Sequence, residues 1–240
     1  MLIKTKGIVL RTVKYSETSV IMDVFTEEKG LRSYIVSGVR SRKPQVAASL
    51  LQPMNMLNMV AYHRDDKKLC RTKELSSAYL YESIPFNISK GAVGLFITEL
   101  LQKTIKEPGE QEELFDFLHD FFMFLDKTKQ PAKNIHLWFM LRYSAYLGFM
   151  PGERYSERTP IFDLQEGMFL DVANSTHSLQ AHFAQLLDKL LHCELENSHQ
   201  VNMSKEDRKY LLNALVNYYK LHVESLTTLN AHSVLETVFG

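Results

Sequence analysis

Three cations fall within four residues in the run Gly38-Val39-Arg40-Ser41-Arg42-Lys43-Pro44. Arg40, Arg42 and Lys43, bounded by glycine and proline, can neutralise several phosphates, with an affinity that falls as salt rises. Arg32 just upstream and Arg11 and Lys14 near the N-terminus would extend this charge, and Arg71 and Lys73 share one face of an alternating segment. Aromatic residues interleave them at Tyr15, Phe25, Tyr34 and Tyr62. A basic groove combined with aromatic platforms binds single-stranded nucleic acid. The candidate nucleic-acid-binding set is therefore Arg11, Lys14, Arg32, Tyr34, Arg40, Arg42, Lys43, Arg71 and Lys73. The competing reading is a solvated turn beside a hydrophobic core. For Phe25 the core reading is preferred, and for Tyr34 and Tyr62 both stay open.

Other chemistry is thinly represented. The sequence has no phosphate-cradling Gly-x-x-x-x-Gly-Lys-Ser/Thr run, no Gly-x-Gly-x-x-Gly loop, no His-Glu-x-x-His and no Gly-x-Ser-x-Gly. Its two cysteines, Cys70 and Cys193, are too few for a disulfide framework or a cysteine-based zinc site. His192, Cys193 and His199 lack a fourth partner and a standard ligand spacing. No histidine stands in a known local signature with Cys70. The carboxylates Glu107, Glu110, Glu112, Glu113 and Asp116 read better as the solvated start of a helix than as a cation site. The expectation is a protein that binds rather than catalyses, with no cofactor, metal or small-molecule substrate.

The elements that must position these residues come in two textures. Alternating, β-branched segments at 7–14, 19–26, 31–37, 54–62 and 67–75 predict five short strands, the second and third joined by the Gly30 turn. A longer connection follows the third strand. This pattern fits a small OB-type barrel, with an SH3-like barrel as its nearest competitor.

Beyond residue 76 the period becomes helical. Val93, Phe96, Ile97, Leu100, Leu101 and Ile105 form one apolar stripe, and Leu114, Phe117, Leu118, Phe121, Phe122 and Leu125 a second. Residues 135–147 are apolar almost all round and predict a central helix that stops at Gly148, with Pro151 beyond. A segment with little helix follows to Thr176. Leu179, Phe183, Leu186, Leu187, Leu190 and Leu191 mark another helix, and a last one starts at Ser204 with Asp207 as a partial capping box. The fold class expected is α+β and multidomain: a five-stranded OB-type barrel over residues 1–80, then an all-α domain over 81–240 with an irregular excursion at about 150–176.

Composition agrees with a chain of this kind. Its 240 residues are 45% apolar, with no apolar run long enough to span a bilayer and no signal-peptide pattern at the N-terminus. The formal net charge is zero, but residues 1–82 hold fourteen basic and eight acidic residues, a local +6 that the remainder cancels. Such a division suggests that the first part meets a polyanion.

Residues 7–40, from Gly7-Ile8-Val9-Leu10-Arg11 to Val39-Arg40, resemble the N-terminal signature of the RecO family of bacterial recombination mediators. Leu51-Gln52-Pro53 and Tyr146-Leu147-Gly148-Phe149-Met150-Pro151 are similar to further parts of its pattern. The resemblance implies a cytoplasmic, nucleoid-associated protein that binds single- and double-stranded DNA. Such a protein anneals strands coated with single-strand-binding protein (SSB), and acts with RecR to load RecA. The basic positions matching the family's DNA-binding surface are Arg32, Arg40, Arg42 and Lys43. The resemblance also implies a pocket in the helical domain for the acidic, Phe-terminated tail of SSB, for which Lys133, Trp138 and Arg142 are the candidates here. Many members carry a four-cysteine zinc site after the Leu-Gly-Phe-x-Pro segment, whereas residues 150–176 of this chain contain no cysteine. Packing of Phe162, Leu164, Met168 and Phe169 is expected to take its place. The alternative function is an adaptor whose barrel binds protein without touching nucleic acid.

Overall fold

A computed structural model describes residues 1–39, 41, 46–64, 69–106, 109–173 and 175–239. Arg40, Arg42 and Lys43 of the basic loop, and Glu107 of the acidic cluster, lie outside the described residues. By packing, the chain divides into two compact units, Met1–Phe86 with Thr98–Lys127, and Asn87–Ile97 with Thr128–Gly240.

The first unit is built on β1 (Leu2–Lys14), β2 (Val20–Thr26), β3 (Gly30–Val36), β4 (Met56–Tyr62) and β5 (Leu69–Ser77). They close into a barrel in the order β1-β2-β3-β5-β4, antiparallel except for the β3–β5 pair. This is the OB-type order. Strand alternation sends Ile3, Val9, Val20, Met22, Val24, Tyr34, Val36, Leu57, Met59 and Ala61 into the barrel core. The β2–β3 turn needs Gly30: its φ is +58°, and a Cβ there would lie 2.2 Å from the Gly109 carbonyl oxygen.

Two helical segments complete this unit: the end of α1 (Ile88–Thr104), from Thr98 on, and α2 (Glu112–Lys127). Phe115 of α2 stacks on Phe25, with ring centroids 6.3 Å apart, so Phe25 is core, as the sequence favoured. Asp126, near the end of α2, ties down the chain leaving the barrel. Its carboxylate accepts hydrogen bonds from the Tyr79 hydroxyl and from the backbone N–H groups of Glu82, Ser83 and Ile84, at 2.8–2.9 Å.

The second unit surrounds α3 (Ile135–Tyr146), whose Leu137, Phe139, Met140, Leu141 and Tyr143 are all buried. This helix ends as expected. Gly148 has φ +82°, the Phe149 N–H bonds the Ser144 carbonyl, and the Gly148 N–H bonds the Ala145 carbonyl, which is the Schellman arrangement. α4 (Ala181–His192), α5 (Lys205–His222) and α6 (Ala231–Phe239) follow. Ser204 and Asp207 complete a reciprocal capping box on α5, each backbone N–H held by the other side chain at 2.9 Å. The helix expected to be last is followed by α6, whose nine residues carry too short an apolar pattern to stand out in sequence.

The excursion after α3 folds into a small sheet of β6 (Ile161–Asp163), β7 (Met168–Leu170) and β8 (Ser178–Leu179), in the order β7-β6-β8. Phe162, Leu164 and Phe169 fill its buried side, with Phe162 and Phe169 in contact at 5.0 Å and Tyr218 of α5 against Phe162. Met168 does not join them. Alternation along β7 turns it outward, 38% exposed, and Tyr218 takes its place.

Candidate nucleic-acid interface

The barrel register decides which candidate residues share a surface. In β2 and β3 the inward set is Val20, Met22, Val24, Tyr34 and Val36, so Ile21, Asp23, Ser33 and Ile35 point outward. A β-bulge at Leu10 in β1 brings Arg11 opposite Asp23 and Val13 opposite Ile21 on the same outer face. On the far side of β3, Arg71 of β5 aligns with Ile35 and, across β4, with Tyr62, which aligns in turn with Leu2. Val13, Ile21, Ile35, Arg71, Tyr62 and Leu2 therefore form one belt around the outside of the barrel. Tyr62 is 52% exposed. Its neighbour on the next strand, Arg71, is exposed as well, so a cation and an aromatic ring stand side by side.

Arg11 and Lys14 are both exposed, Lys14 at the end of β1 beside the exposed Tyr15. Asp23, opposite Arg11, accepts a 2.5 Å hydrogen bond from the Ser33 hydroxyl. Lys73 is exposed but sits in a second bulge, between the pairs Val60–Glu74 and Ala61–Thr72. Its ammonium lies 3.4 Å from the Glu74 carboxylate, which offsets part of its charge.

Two expectations are corrected by the register. Tyr34 is 0% exposed, inside the barrel, and offers no face to a base. Burial, with the Cys70 thiol as the next contribution, pushes its hydroxyl up to about 12. Arg32 pairs with Val24 and shares the inward phase of Tyr34 and Val36. It is half-buried, and its Nε is enclosed without a hydrogen-bond partner among the described residues. Neither belongs to the outer row of Arg11, Arg71 and Tyr62, because period-two alternation sorts residues of one strand to opposite sides of the wall.

Sequence reasoning passed over Lys4 and Lys6. β1 begins at Leu2 rather than Gly7, and its outward phase places Lys4 beside Val60 and Glu74, and Lys6 beside Asn58 and Ser76. They line an open groove of ≈ 580 Å³ together with Glu27. Alternation of apolar and charged residues from Leu2 to Lys6 was the available signal. A second missed pair is internal: His63, placed in a polar turn by its neighbours, is 1% exposed, and its Nδ1 lies 3.9 Å from the Cys70 sulfur. Both side chains are buried.

In the second unit, Trp138 and Arg142 stand one turn apart on α3. Both donate to the Cys193 carbonyl, at 2.9 and 3.4 Å, and the guanidinium lies over the indole at 5.6 Å. The ring is only 7% exposed, so the contact between indole and guanidinium is a closed one. Lys133 precedes α3 and lies two and a half turns before Arg142 along the chain.

The remaining metal candidates are locally committed. His192 and His199 face the carbonyls of Asp188 and Glu196, and the Cys193 thiol faces that of Leu190. Among the described residues, no three His, Cys, Asp or Glu side chains group so as to hold a metal ion. Glu112 and Glu113 occupy the first turn of α2, and Glu110 pairs with Lys29 at 3.5 Å.

Comparison with known proteins decides the family. The family model for the N-terminal part of recombination protein O matches residues 1–81, and the model for its C-terminal part matches residues 85–229. The chain belongs to the RecO family. A DNA repair protein RecO from Christiangramia forsetii is 34% identical, and one from Flavobacterium psychrophilum is 35% identical. In each case the alignment runs over 241 residues and covers the whole of both chains. In RecO-family terms, the barrel lies within the N-terminal match, and α1 to α5 within the C-terminal match. α6 falls beyond it, in a stretch that the full-length relatives share. No described helix is long and apolar enough to cross a membrane.

Proposed function

We propose that this chain is a recombination mediator that binds DNA on the outer face of its barrel and anneals complementary strands by screening their phosphates. The observation that carries the reading is the adjacency of Arg71 and Tyr62 on exposed neighbouring positions of β5 and β4, with Arg11 and Lys14 exposed on the same barrel. That arrangement provides charge for the backbone and a ring for a base. Arg40, Arg42 and Lys43 add three cations in the connection after β3. The protein acts by binding, without a cofactor, in the bacterial cytoplasm at the nucleoid. Its partners are single- and double-stranded DNA, the SSB tail, held near Lys133, Trp138 and Arg142, and RecR, with which it promotes RecA loading.

The test is fluorescence anisotropy with a labelled 30-nucleotide single strand, across a salt series, for the wild-type chain and for Arg40→Glu/Arg42→Glu/Lys43→Glu. Affinity falls with salt, and the triple reversal weakens binding by at least tenfold at low salt while flattening the salt dependence. If the reversed chain binds as tightly as the wild type at low salt, the loop is not the site. Should no DNA binding be seen while SSB-tail binding persists, the adaptor reading replaces this one.

A further inference from the structure

The seam between α3, α5 and α6 has an unusual interior. Arg208 of α5 is 6% exposed, yet no carboxylate among the described residues lies within ion-pair distance of it. Its Nε donates to the Asn134 side-chain oxygen and its Nη1 to the backbone carbonyl of Phe239, both at 3.1 Å. A buried guanidinium normally meets an anion, because a neutral oxygen repays less of its lost hydration. Beside it, His136 of α3 is 1% exposed, and its Nδ1 has no hydrogen-bond partner among the described residues. Burial, then the Arg208 charge, pushes this imidazole down to about 3, so it is neutral.

What covers these groups is α6. Phe239 stacks on the His136 ring at 5.3 Å and 15°, and Leu235 is the buried side chain of α6. Glu236 is gripped by Lys209 at 3.2 Å and Asn213 at 2.7 Å. With α6 in place, only ≈ 10 Å³ of the seam stays open. The rest of α6 is half or fully exposed, and a nine-residue helix has little stability of its own. Among the described residues, what ties the segment to α3 and α5 includes the Leu235 side chain, the Glu236 carboxylate, and the ring and carbonyl of Phe239.

We propose that α6 is a releasable internal ligand: residues 231–239 occupy, in cis, a cation-lined peptide site formed by α3 and α5, and their release opens it. The site selects an apolar side chain, a carboxylate for Lys209 and Asn213, and an aromatic ring whose backbone oxygen meets Arg208. It is distinct from the Trp138–Arg142 contact and stands or falls independently of the tail-binding role proposed there.

The probe is a fluorescein-labelled synthetic peptide with the sequence of residues 230–239, titrated by anisotropy into the full-length wild-type chain, Phe239→Ala, and Phe239→Ala/Arg208→Gln. Phe239→Ala binds it at least tenfold more tightly than the wild type, whose site is already filled, and adding Arg208→Gln removes that gain. Equal binding to wild type and Phe239→Ala, or none to either, overturns the proposal. Hydrogen exchange on the wild-type chain provides a check that needs no variant. The amides of 231–239 exchange at least a hundredfold faster than those of α5 if the helix detaches by itself. Exchange of both at one common rate means that α6 is simply core, and the proposal fails. If Phe239→Ala loses its fold, Glu236→Lys, which breaks the grip of Lys209 from the surface, is read in the same two ways.

Discussion

At the residue scale, Asp126 shows how hydrogen bonding can overrule burial. Desolvation alone would raise its carboxyl, but the N–H groups of Glu82, Ile84 and Ser83 and the Tyr79 hydroxyl outweigh it and hold the group at about 2. The carboxylate therefore stabilises the fold fully above its ordinary value of 3.8, and the contribution is lost as pH falls through about 2. Asp126→Asn keeps the shape but replaces one acceptor oxygen with an N–H donor that faces two of these donors, and is expected to cost about 1–3 kcal/mol at neutral pH. Urea denaturation at pH 7 and pH 2.5 checks this: the gap between variant and wild type narrows at the lower pH. Tyr62 is the residue on which the stacking reading rests. Tyr62→Ala is expected to weaken single-strand binding by roughly 5- to 160-fold, the equivalent of about 1–3 kcal/mol per stacked base, while leaving the melting temperature close to wild type. Tyr34→Phe, altering a ring sealed in the barrel, is expected to leave DNA affinity unchanged.

At the scale of elements, the helix ends carry predictions of their own. Ser204→Ala removes one half of the capping box of α5 and is expected to cost about 1 kcal/mol, read as a lower thermal midpoint. Gly148→Ala is expected to cost about 1–2 kcal/mol, because its φ of +82° resists a side chain; among the described residues no neighbour lies within 4 Å of the added Cβ. Both signals were readable in the sequence, since a capping box and a C-terminal glycine depend on residues a few positions apart. α6 was not, because its contacts with His136, Arg208 and Asn213 reach back 23 residues or more. Strand bulges at Leu10 and Lys73 were equally illegible, being set by how neighbouring strands coil around a closed barrel.

At the scale of the whole molecule, the excursion between α3 and α4 is held by aromatic packing. Phe162→Ala, at 0% exposure between Phe169 and Tyr218, is expected to cost about 3–5 kcal/mol. Metal analysis of the purified chain is expected to find no stoichiometric zinc, because residues 150–176 offer no thiolate. The net charge of zero belongs to this scale too. It sums a basic N-terminal third and an acidic remainder, so DNA affinity should follow the salt concentration closely despite the neutral total.

Local patterning determined a good deal of this protein from sequence alone: five strands by their period of two, the main helices by their apolar stripes, the helix stop at Gly148 and the helix start at Ser204, and a cationic loop with no catalytic motif beside it. Those features depend on neighbours along the chain, so composition and spacing suffice to find them. Tertiary structure decided which side of the barrel wall each candidate faces. Arg71 and Tyr62 come together there, nine residues apart in sequence, while Tyr34 and Arg32 turn inward and Trp138 is closed beneath Arg142. Register between strands and packing between helices are set by contacts distant in sequence. A one-residue difference in phase moves a side chain from solvent to core, and no count of residues along the chain contains that choice.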